Sequence, residues 1–343
     1  TTRVSHGKGQ VTVEPRQAAG RRPFVRNPAK YVVLPAHGRV HHVQMERKRL
    51  PALEQEAERW VELFEGDGEL GVITGGAAFL YVREAFRDAA ILKLGMTHPI
   101  PREAIRAFAA GKQRILVVEE LEPYLEEQIW AMGIACEGKA RLPRYGEMSV
   151  ELLRRAFIDG EQAEDDAVPL PAIPPRPPVL CAGCSHRGTF YVLKQLDAIV
   201  SGDIGCYTLG ALAPLGSMDT CINMGSSVGM AHGMEKVMTD EERQRLVAVI
   251  GDSTFYHSGL TGLVDILYNG GHSTTIILDN HTTAMTGHQE HPGSGHSITG
   301  EVSGTVKVEP LCKGLGIEHI NRIDPYDLLD VWRSLDQELH QIG

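Results

Sequence analysis

The sequence has no apolar run near the ~18 residues that a membrane-spanning helix requires, and no leader pattern opens it. Its six cysteines are too few for a disulfide scaffold. Basic residues are outnumbered, since 34 Lys and Arg against 44 Asp and Glu give a formal charge of −10, which argues against nucleic-acid or anionic-membrane partners. These deficits predict a cytoplasmic globular protein that binds neither nucleic acid nor membrane.

The length of 343 residues and the 42% apolar content are sufficient for two or three domains of ~150 residues each. A proline-dense stretch at 165–178 favours extended geometry and marks a boundary. We therefore predict a connector with a helix at 1–64, an α/β domain at 65–164, a linker at 165–178 and a second α/β domain at 179–343.

Short apolar strands alternate with helical stretches in the first domain, which predicts a parallel sheet covered on both faces. The predicted strands are 71–74, 89–94 and 114–118, and the predicted helices are 77–88, 102–110 and 123–132. A further helix is predicted at 53–64, because Leu53, Ala57, Trp60, Val61 and Phe64 recur at helical spacing. In the second domain we predict strands at 197–201, 246–250, 274–278 and 319–323, and helices at 228–237 and 308–315.

The strongest chemical signal lies where two predicted strands of the second domain end. The strand 246–250 runs into Gly251-Asp252-Ser253, and 25 residues separate Ser253 from Asp279-Asn280, which follows the next strand. Parallel strands joined by a helix bring Asp252 and Asn280 together at the carboxyl edge, where open α/β sheets bind ligands. A carboxylate, an amide oxygen and a backbone carbonyl suit Mg²⁺, which completes its shell with water and phosphate.

This arrangement resembles the thiamine-diphosphate motif, in which Gly-Asp-Gly is followed after a similar interval by Asn-Asn. Ser253 replaces the second Gly here, and Asp279 replaces the first Asn. Together with Cys181-Ala182-Gly183-Cys184-Ser185-His186-Arg187-Gly188, Asp203-Ile204-Gly205-Cys206-Tyr207 and the run from Asp279 to Gln289, the motif is similar to the large subunit of the indolepyruvate:ferredoxin oxidoreductases. That family belongs to the thiamine-dependent 2-oxoacid:ferredoxin oxidoreductases.

The resemblance implies a transketolase C-terminal-like first domain and a second domain that binds the diphosphate half of the cofactor. It implies Mg²⁺ ligands at Asp252, Asn280 and the Thr282 carbonyl. It implies cofactor contacts from Cys184, Ser185, His186, Gly205, Cys206, Tyr207, Ile222, Met224, Gly251, Asp252, Ser253, Asn280, Thr282, Thr283, Ala284 and Met285.

Specific roles within that set are also implied by the resemblance. Met224 would support the bent conformation of the cofactor, with the Ile222 carbonyl on its 4′-amine, whereas the bland interpretation of Met224 is a core residue. His186, Arg187, His281 and His288 would meet a 2-oxoacid carboxylate or relay protons, or else make structural hydrogen bonds. Zinc at His288, His291 and His296 is disfavoured by their irregular spacing in a loop with Pro292.

Cys181, Cys184 and Cys206 match places where pyruvate-specific relatives hold three of the four ligands of a [4Fe–4S] cluster. The remaining later cysteine, Cys312, falls in the helical stretch 308–315 and is expected to be a buried small residue. Either a cluster forms in the intact enzyme, or these cysteines shape the loops around the diphosphate.

The activity that the resemblance implies is oxidative decarboxylation of an aryl 2-oxoacid to its acyl-CoA, with electrons passed to ferredoxin. We expect a dimer or hetero-oligomer with a small subunit or a pyrimidine-binding domain, since no Glu here matches the family's catalytic glutamate. Residues 1–6 resemble the closing segment of that domain, and the isolated chain is expected to be inactive. The alternatives are a non-redox thiamine-dependent decarboxylase or carboligase, and a non-catalytic regulatory or assembly subunit.

Overall fold

A computed structural model of the chain describes residues 9–18, 20–66, 68–159, 174 and 177–341. Two compact units divide the chain, residues 1–171 and 172–343. The predicted closing segment 1–6 and most of the predicted linker 165–178 lie outside the described residues. Within the described ranges, no helix is both long and apolar enough to cross a membrane.

The first unit begins with a segment at 9–49 that we call the basic arm. It holds helices α1 (Pro28–Tyr31) and α2 (Pro35–Gln44) and a π-helical turn at Met45–Arg49. None of its described residues is buried, and its exposed side chains include Phe24, Val33 and Val40. Nine Lys and Arg against two Asp and Glu give the arm a charge of 9 − 2 = +7.

A four-stranded sheet forms the centre of the first unit, in the order β1-β3-β2-β4. Its strands are β1 (Val61–Phe64), β2 (Leu70–Gly75), β3 (Ala90–Leu94) and β4 (Arg114–Val118). The helices are α3 (Leu50–Ala57), α4 (Ala78–Ala85), α5 (Arg102–Ala110), α6 (Tyr124–Ala131) and α7 (Val150–Arg154), with a 3₁₀ turn at Glu58–Trp60 and a π turn at Arg155–Asp159. Strands β3, β2 and β4 are parallel, which confirms the prediction for this sheet.

The predicted helix at 53–64 is wrong over its last four residues. The helix ends by Trp60, and β1 pairs antiparallel with β3, matching Val61 with Leu94 and Phe64 with Ile91. Only the two end residues of β1 are half-buried. Val61 and Phe64 are three positions apart, which is also the spacing of neighbours on one face of a helix, and this explains why a strand at the sheet edge was predicted as helix.

Alternate residues of these strands supply two hydrophobic cores. Val72, Ile91 and Leu116 pack with α4 on one face of the sheet, and Ile73, Leu92 and Val117 pack with α5 and α6 on the other. Helices therefore cover both faces of the sheet, as the continuous apolar strands predict.

The second unit contains a parallel sheet in the order β6-β5-β7-β8. Its strands are β5 (Ile199–Gly202), β6 (Thr220–Cys221), β7 (Leu246–Gly251) and β8 (Thr274–Leu278). Its helices are α8 (His186–Gln195), α9 (Ser226–Glu235), α10 (Asp240–Arg243), α11 (Asp252–Thr254), α12 (Leu260–Tyr268), α13 (Val308–Gly314) and α14 (Leu328–Gln341), with 3₁₀ turns at Cys206–Ala211 and Ala284–Thr286 and a π turn at Phe255–Gly259. All six residues of β7 are buried, since helices cover both faces of this sheet.

The predicted strand at 319–323 is wrong. This segment pairs with no strand, and it lines a cavity of about 2010 Å³ together with the unpaired edge of β8. Its alternate residues His319 and Asn321 both hydrogen bond the Glu338 carboxylate of α14, at 2.6 and 2.7 Å. Polar anchoring to a helix therefore replaces the backbone ladder that the Ile-containing pattern suggested.

Candidate functional site

The predicted site residues of the second unit lie where strands of its sheet end. Asp203 follows β5, Ile222 follows β6, Asp252 follows β7 and Asp279 follows β8. The strands run parallel, so all four ends meet at one edge of the sheet. The register pairs Gly251 with Leu278, which places the residues after them side by side.

The acidic side chain of Asp252 is buried at this edge, with a relative exposure of 3%. Its Oδ1 accepts from the Ser253 N–H at 2.8 Å, and its Oδ2 accepts from the Asn280 N–H at 3.2 Å. Burial and the neighbouring Asp279 carboxyl raise the pKa of Asp252, while the nearby His291 acts in the opposite direction. When both are ionised, a buried and an exposed carboxylate in such proximity repel each other.

The loop after β8 arranges further oxygen atoms around this carboxylate. The Asn280 Oδ1 accepts from the Thr282 N–H at 3.2 Å, and the Thr283 hydroxyl donates to the Ser253 hydroxyl at 2.9 Å. Asp279 accepts from the His281 N–H at 3.0 Å. These bonds fold residues 279–283 against the start of α11, so Asp252, Asn280 and Thr282 share one neighbourhood as the sequence predicts.

Asp203, fully buried at the end of β5, ties two glycine-containing loops together. Its carboxylate accepts from the backbone N–H groups of Ile204 at 2.8 Å, Gly225 at 2.9 Å and Ser227 at 3.1 Å. Gly225 is left-handed with φ of 88°, and a Cβ there would lie 2.3 Å from the Ser258 hydroxyl. Only glycine fits at this point, and the loop from Ile222 to Ser226 is thereby fixed over the edge.

Tyr207 packs against the glycine that begins the Asp252 motif. A Cβ on Gly251 would lie 2.5 Å from the Tyr207 ring, and the Tyr207 hydroxyl donates to the Ile204 carbonyl at 2.9 Å. Burial raises the pKa of Tyr207 to about 12, so the phenol keeps its proton at neutral pH. The ring closes the floor of the site between β5 and β7.

The loop from Cys181 to Arg187 is held by the guanidinium of Arg187. This group donates to the Cys181 carbonyl at 2.9 Å and to the Leu180 carbonyl. His186 begins α8, is 3% exposed, and meets the Tyr207 ring edge-on at 6.1 Å. Burial lowers the pKa of His186, so its imidazole is neutral at pH 7. In this conformation Arg187 braces the loop, and His186 is a buried neutral ring.

The three cysteines proposed as cluster ligands lie in one region. Burial, and secondly the proximity of Cys184 and Cys181, raise the pKa of Cys206. Among the residues that the structure describes, however, no three His, Cys, Asp or Glu side chains are placed to hold a metal ion. Cys312 is buried in α13, as predicted.

Several predicted contact residues are exposed at the carboxyl edge. Ile222, Met224 and Met285 are 67%, 44% and 52% exposed, so Met224 is not a core residue in this structure. His281 and His288 are also exposed, and both have positive φ, at 59° and 61°. Cys184, Ser185, Gly205 and Ala284 are half-buried along the same loops.

Two residues of the site were not predicted from the sequence. His291 lies against Asp252, with its Nε2 3.1 Å from Oδ2, and Tyr256 stacks on the His291 ring at 5.6 Å between centroids. The available signal was the triplet of His288, His291 and His296, considered only as a zinc pattern. His291 is 39 positions beyond Asp252 in the chain, and its contact depends on how the intervening loop folds.

Comparison with protein families adds a domain match at the same residues. Residues 203–340 match the family described as "Thiamine pyrophosphate enzyme, C-terminal TPP binding domain". The matched range begins directly after β5 ends, and it includes the ends of β6, β7 and β8 together with Asp252 and Asp279.

Two curated relatives match the whole chain. The "Indolepyruvate oxidoreductase subunit IorA" of Archaeoglobus fulgidus is 36% identical over 379 residues, which cover 100% of this chain and 58% of that protein. The subunit of the same name from Thermococcus kodakarensis is 35% identical and covers 100% of this chain and 59% of its own length. The chain therefore spans somewhat more than half the length of these relatives.

Solved structures match only weakly. A 2-oxoglutarate:ferredoxin oxidoreductase from Magnetococcus marinus has a TM-score of 0.28 and 21% identity, covering 35% of this chain and 22% of that one. A thiamine diphosphate-dependent 4-hydroxybenzoylformate decarboxylase from Rhodococcus jostii has a TM-score of 0.34 and 13% identity, covering 87% and 62%. At such scores these likenesses add nothing to the interpretation of the site.

Proposed function

The chain is homologous along its whole length to the indolepyruvate oxidoreductase subunit IorA, and from this relationship we propose that its second unit binds thiamine diphosphate through Mg²⁺. The observation that carries the proposal is the buried Asp252 carboxylate in contact with Asp279 and beside the Asn280 amide. Repulsion between the two carboxylates is relieved when a divalent cation sits at their edge.

The residues present fit this cation and its cofactor. Asp252, Asn280 and the Thr282 carbonyl would hold Mg²⁺, a set of one carboxylate and two neutral oxygens that leaves positions for diphosphate and water. The exposed apolar side chains of Ile222, Met224 and Met285 at the same edge would cover the organic part of the cofactor. When bound, the cofactor supplies the carbanion and the electron sink for decarboxylation of a 2-oxoacid.

The chain's own residues would bind and orient the cofactor and the substrate, and they would exclude water from the site. Asp203 fixes the loops over the edge, so the backbone around Gly225 is already shaped before ligand arrives. His186 is neutral, so it would donate or accept a hydrogen bond and would not pair ionically with a substrate carboxylate. Arg187 would have to release the Cys181 and Leu180 carbonyls to meet that carboxylate. His281 and His288 are exposed, although the His281 Nδ1 lies 3.2 Å from the Asp279 carboxylate.

For the assembled enzyme we also propose a reaction, which the similarity to relatives named indolepyruvate oxidoreductase subunits supports. It is the oxidative decarboxylation of an aryl 2-oxoacid such as indolepyruvate to its acyl-CoA, with electrons passed to ferredoxin, in an assembly with a further subunit or a pyrimidine-binding domain. A [4Fe–4S] cluster in the intact enzyme, with Cys181, Cys184 and Cys206 among its ligands, stays a prediction. Indolepyruvate-dependent reduction of ferredoxin by the assembled enzyme, with CoA required, tests this part.

Calorimetric titration of the chain with thiamine diphosphate tests the binding proposal directly. We expect heat of binding with Mg²⁺ present and none after EDTA. Asp252→Ala should abolish Mg²⁺-dependent binding because it deletes the charged ligand, whereas Asp265→Asn, an exposed change on α12, should bind like the wild type. Equal affinity of the Asp252→Ala variant and the wild type would remove the motif from the proposal.

A further inference from the structure

His291 stands in an unusual position for a loop histidine. Its side chain is 3% exposed, and its Nε2 lies 3.1 Å from the Asp252 Oδ2. The alignment between these atoms is too poor for a hydrogen bond, so among the described residues the buried Nε2 has no hydrogen-bond partner. A buried nitrogen without a hydrogen-bond partner destabilises the fold, so its presence calls for an explanation such as a functional role.

The other ring nitrogen determines where the proton lies. The Gly293 N–H donates to the His291 Nδ1 at 3.0 Å, so Nδ1 must present its lone pair. In a neutral imidazole the proton is then on Nε2, and Nε2–H faces the carboxylate. The tautomer of His291 is set by the backbone of its own loop.

Two further contacts fix the ring plane. Tyr256 stacks on the ring with an interplanar angle of 27°, and the Tyr256 hydroxyl is itself anchored to the Val306 carbonyl at 2.6 Å. A Cβ on Gly293 would come within 3.0 Å of the His291 Cε1 and 2.9 Å of the Tyr256 ring. The imidazole therefore has little freedom to turn, and the adjustable partner is the Asp252 carboxylate.

We propose that His291 is a positioning residue for the metal carboxylate: its Nε2–H holds the Asp252 Oδ2 so that the remaining oxygen lone pairs of Asp252 face the cation. The inference rests on the proposed function of the Asp252 site. A small rotation of the Asp252 carboxylate on metal binding would convert its poorly aligned contact with the His291 Nε2–H into a hydrogen bond. Ligand-orienting groups of this kind typically change metal affinity by about 10–100-fold when they are removed.

Matched variants separate donation from packing. His291→Phe keeps a ring against Tyr256 and loses the donor, whereas His291→Gln places an amide N–H near the position of Nε2. His296→Phe, an exposed histidine of the same loop, is the control. Mg²⁺ is titrated calorimetrically in the presence of saturating thiamine diphosphate, and thermal unfolding of each variant without ligand confirms folding.

We expect His291→Phe to weaken Mg²⁺ binding about 10–100-fold, His291→Gln to recover most of that loss, and His296→Phe to match the wild type. Wild-type affinity in His291→Phe, or equal losses in the Phe and Gln variants, would overturn the positioning role. Absence of any binding by the wild type would instead contradict the proposed function, and the next measurement then decides the inference.

Nitrogen-15 NMR of the histidine rings tests the same idea without ligand. At pH 8 the His291 ring should be a single neutral tautomer with its proton on Nε2, and Asp252→Ala should shift the Nε2 resonance while leaving that of His296 unchanged. A ring protonated on Nδ1, or one exchanging between tautomers, would refute the proposed orientation.

Discussion

The side chains of Asp252 and Asp279 meet at the ends of β7 and β8. Because burial and Asp279 raise the pKa of Asp252, the folded chain binds more protons here than the unfolded chain does above pH 3.8. The free energy of unfolding therefore falls as the pH rises from 3.8 to the raised pKa of Asp252. The proximity of these two acidic groups therefore lowers the free energy of unfolding at neutral pH.

Removal of one charge should reverse this effect. Asp279→Asn keeps the shape and can donate to Asp252, so we expect the free energy of unfolding of the chain to rise by about 1 kcal/mol at pH 7, the typical net contribution of one hydrogen bond. The gain should fade as the pH approaches 3.8. Urea unfolding at several pH values measures it, with Asp265→Asn as the control, and a gain that is independent of pH would contradict the explanation.

The buried His186 has the opposite linkage. Its folded pKa is lowered by burial, so below about pH 6.5 the unfolded chain takes up a proton that the folded chain does not. Stability should then fall as the pH drops through 6.5, and His186→Gln should flatten that fall. Comparison of urea midpoints at pH 7.5 and 5.5 tests this, and His296→Gln should retain the wild-type slope.

The loops that follow β5 and β6 behave as one element because Asp203 joins them. Replacing Asp203 with Ala leaves three buried or half-buried N–H groups without their acceptor. We expect a loss of about 3–5 kcal/mol in the free energy of unfolding, the usual result of breaking a buried charged network. Asp219→Ala removes one N–H acceptor at an exposed position and should cost about 1 kcal/mol.

If Asp203→Ala and Asp219→Ala lose the same free energy of unfolding in chemical denaturation, Asp203 acts only as an ordinary hydrogen-bond acceptor in a loop. A large loss for Asp203→Ala together with weaker cofactor binding would support its role in fixing the loops over the carboxyl edge.

Elements with continuous apolar runs were predictable, including the edge strands β4 and β8, whereas the short edge strands β1 and β6 were not. The strand Leu246–Gly251 is buried on both faces, so its composition alone identified it and placed Asp252 at its end. The strand Val61–Phe64 buries only its two ends and imitates a helical turn, and the segment 319–323 is anchored by side chains to α14. Residues such as His291 depend on loop closure over a long interval, which no local pattern contains.

At the scale of the whole molecule, the candidate site lies within the second unit, while the first unit supplies a separate sheet. Thiamine diphosphate with Mg²⁺ at about 100 times its dissociation constant should raise the apparent stability of the second unit by about 2.7 kcal/mol. Hydrogen exchange followed by mass spectrometry should show slowed exchange at residues 203–227, 251–256 and 279–293, with little change at β2, β3 and β4. Equal protection of both sheets would contradict a site confined to the second unit.

The basic arm and the rest of the chain carry net charges of opposite sign. Its charge of +7 is set against −10 for the whole chain, so the remaining residues carry −10 − 7 = −17. During purification at low ionic strength, the chain should therefore be retained by cation-exchange resin through the arm and by anion-exchange resin through its body. A preparation from which proteolysis has removed the arm should bind only the anion exchanger, so the chromatogram would separate it from the intact chain.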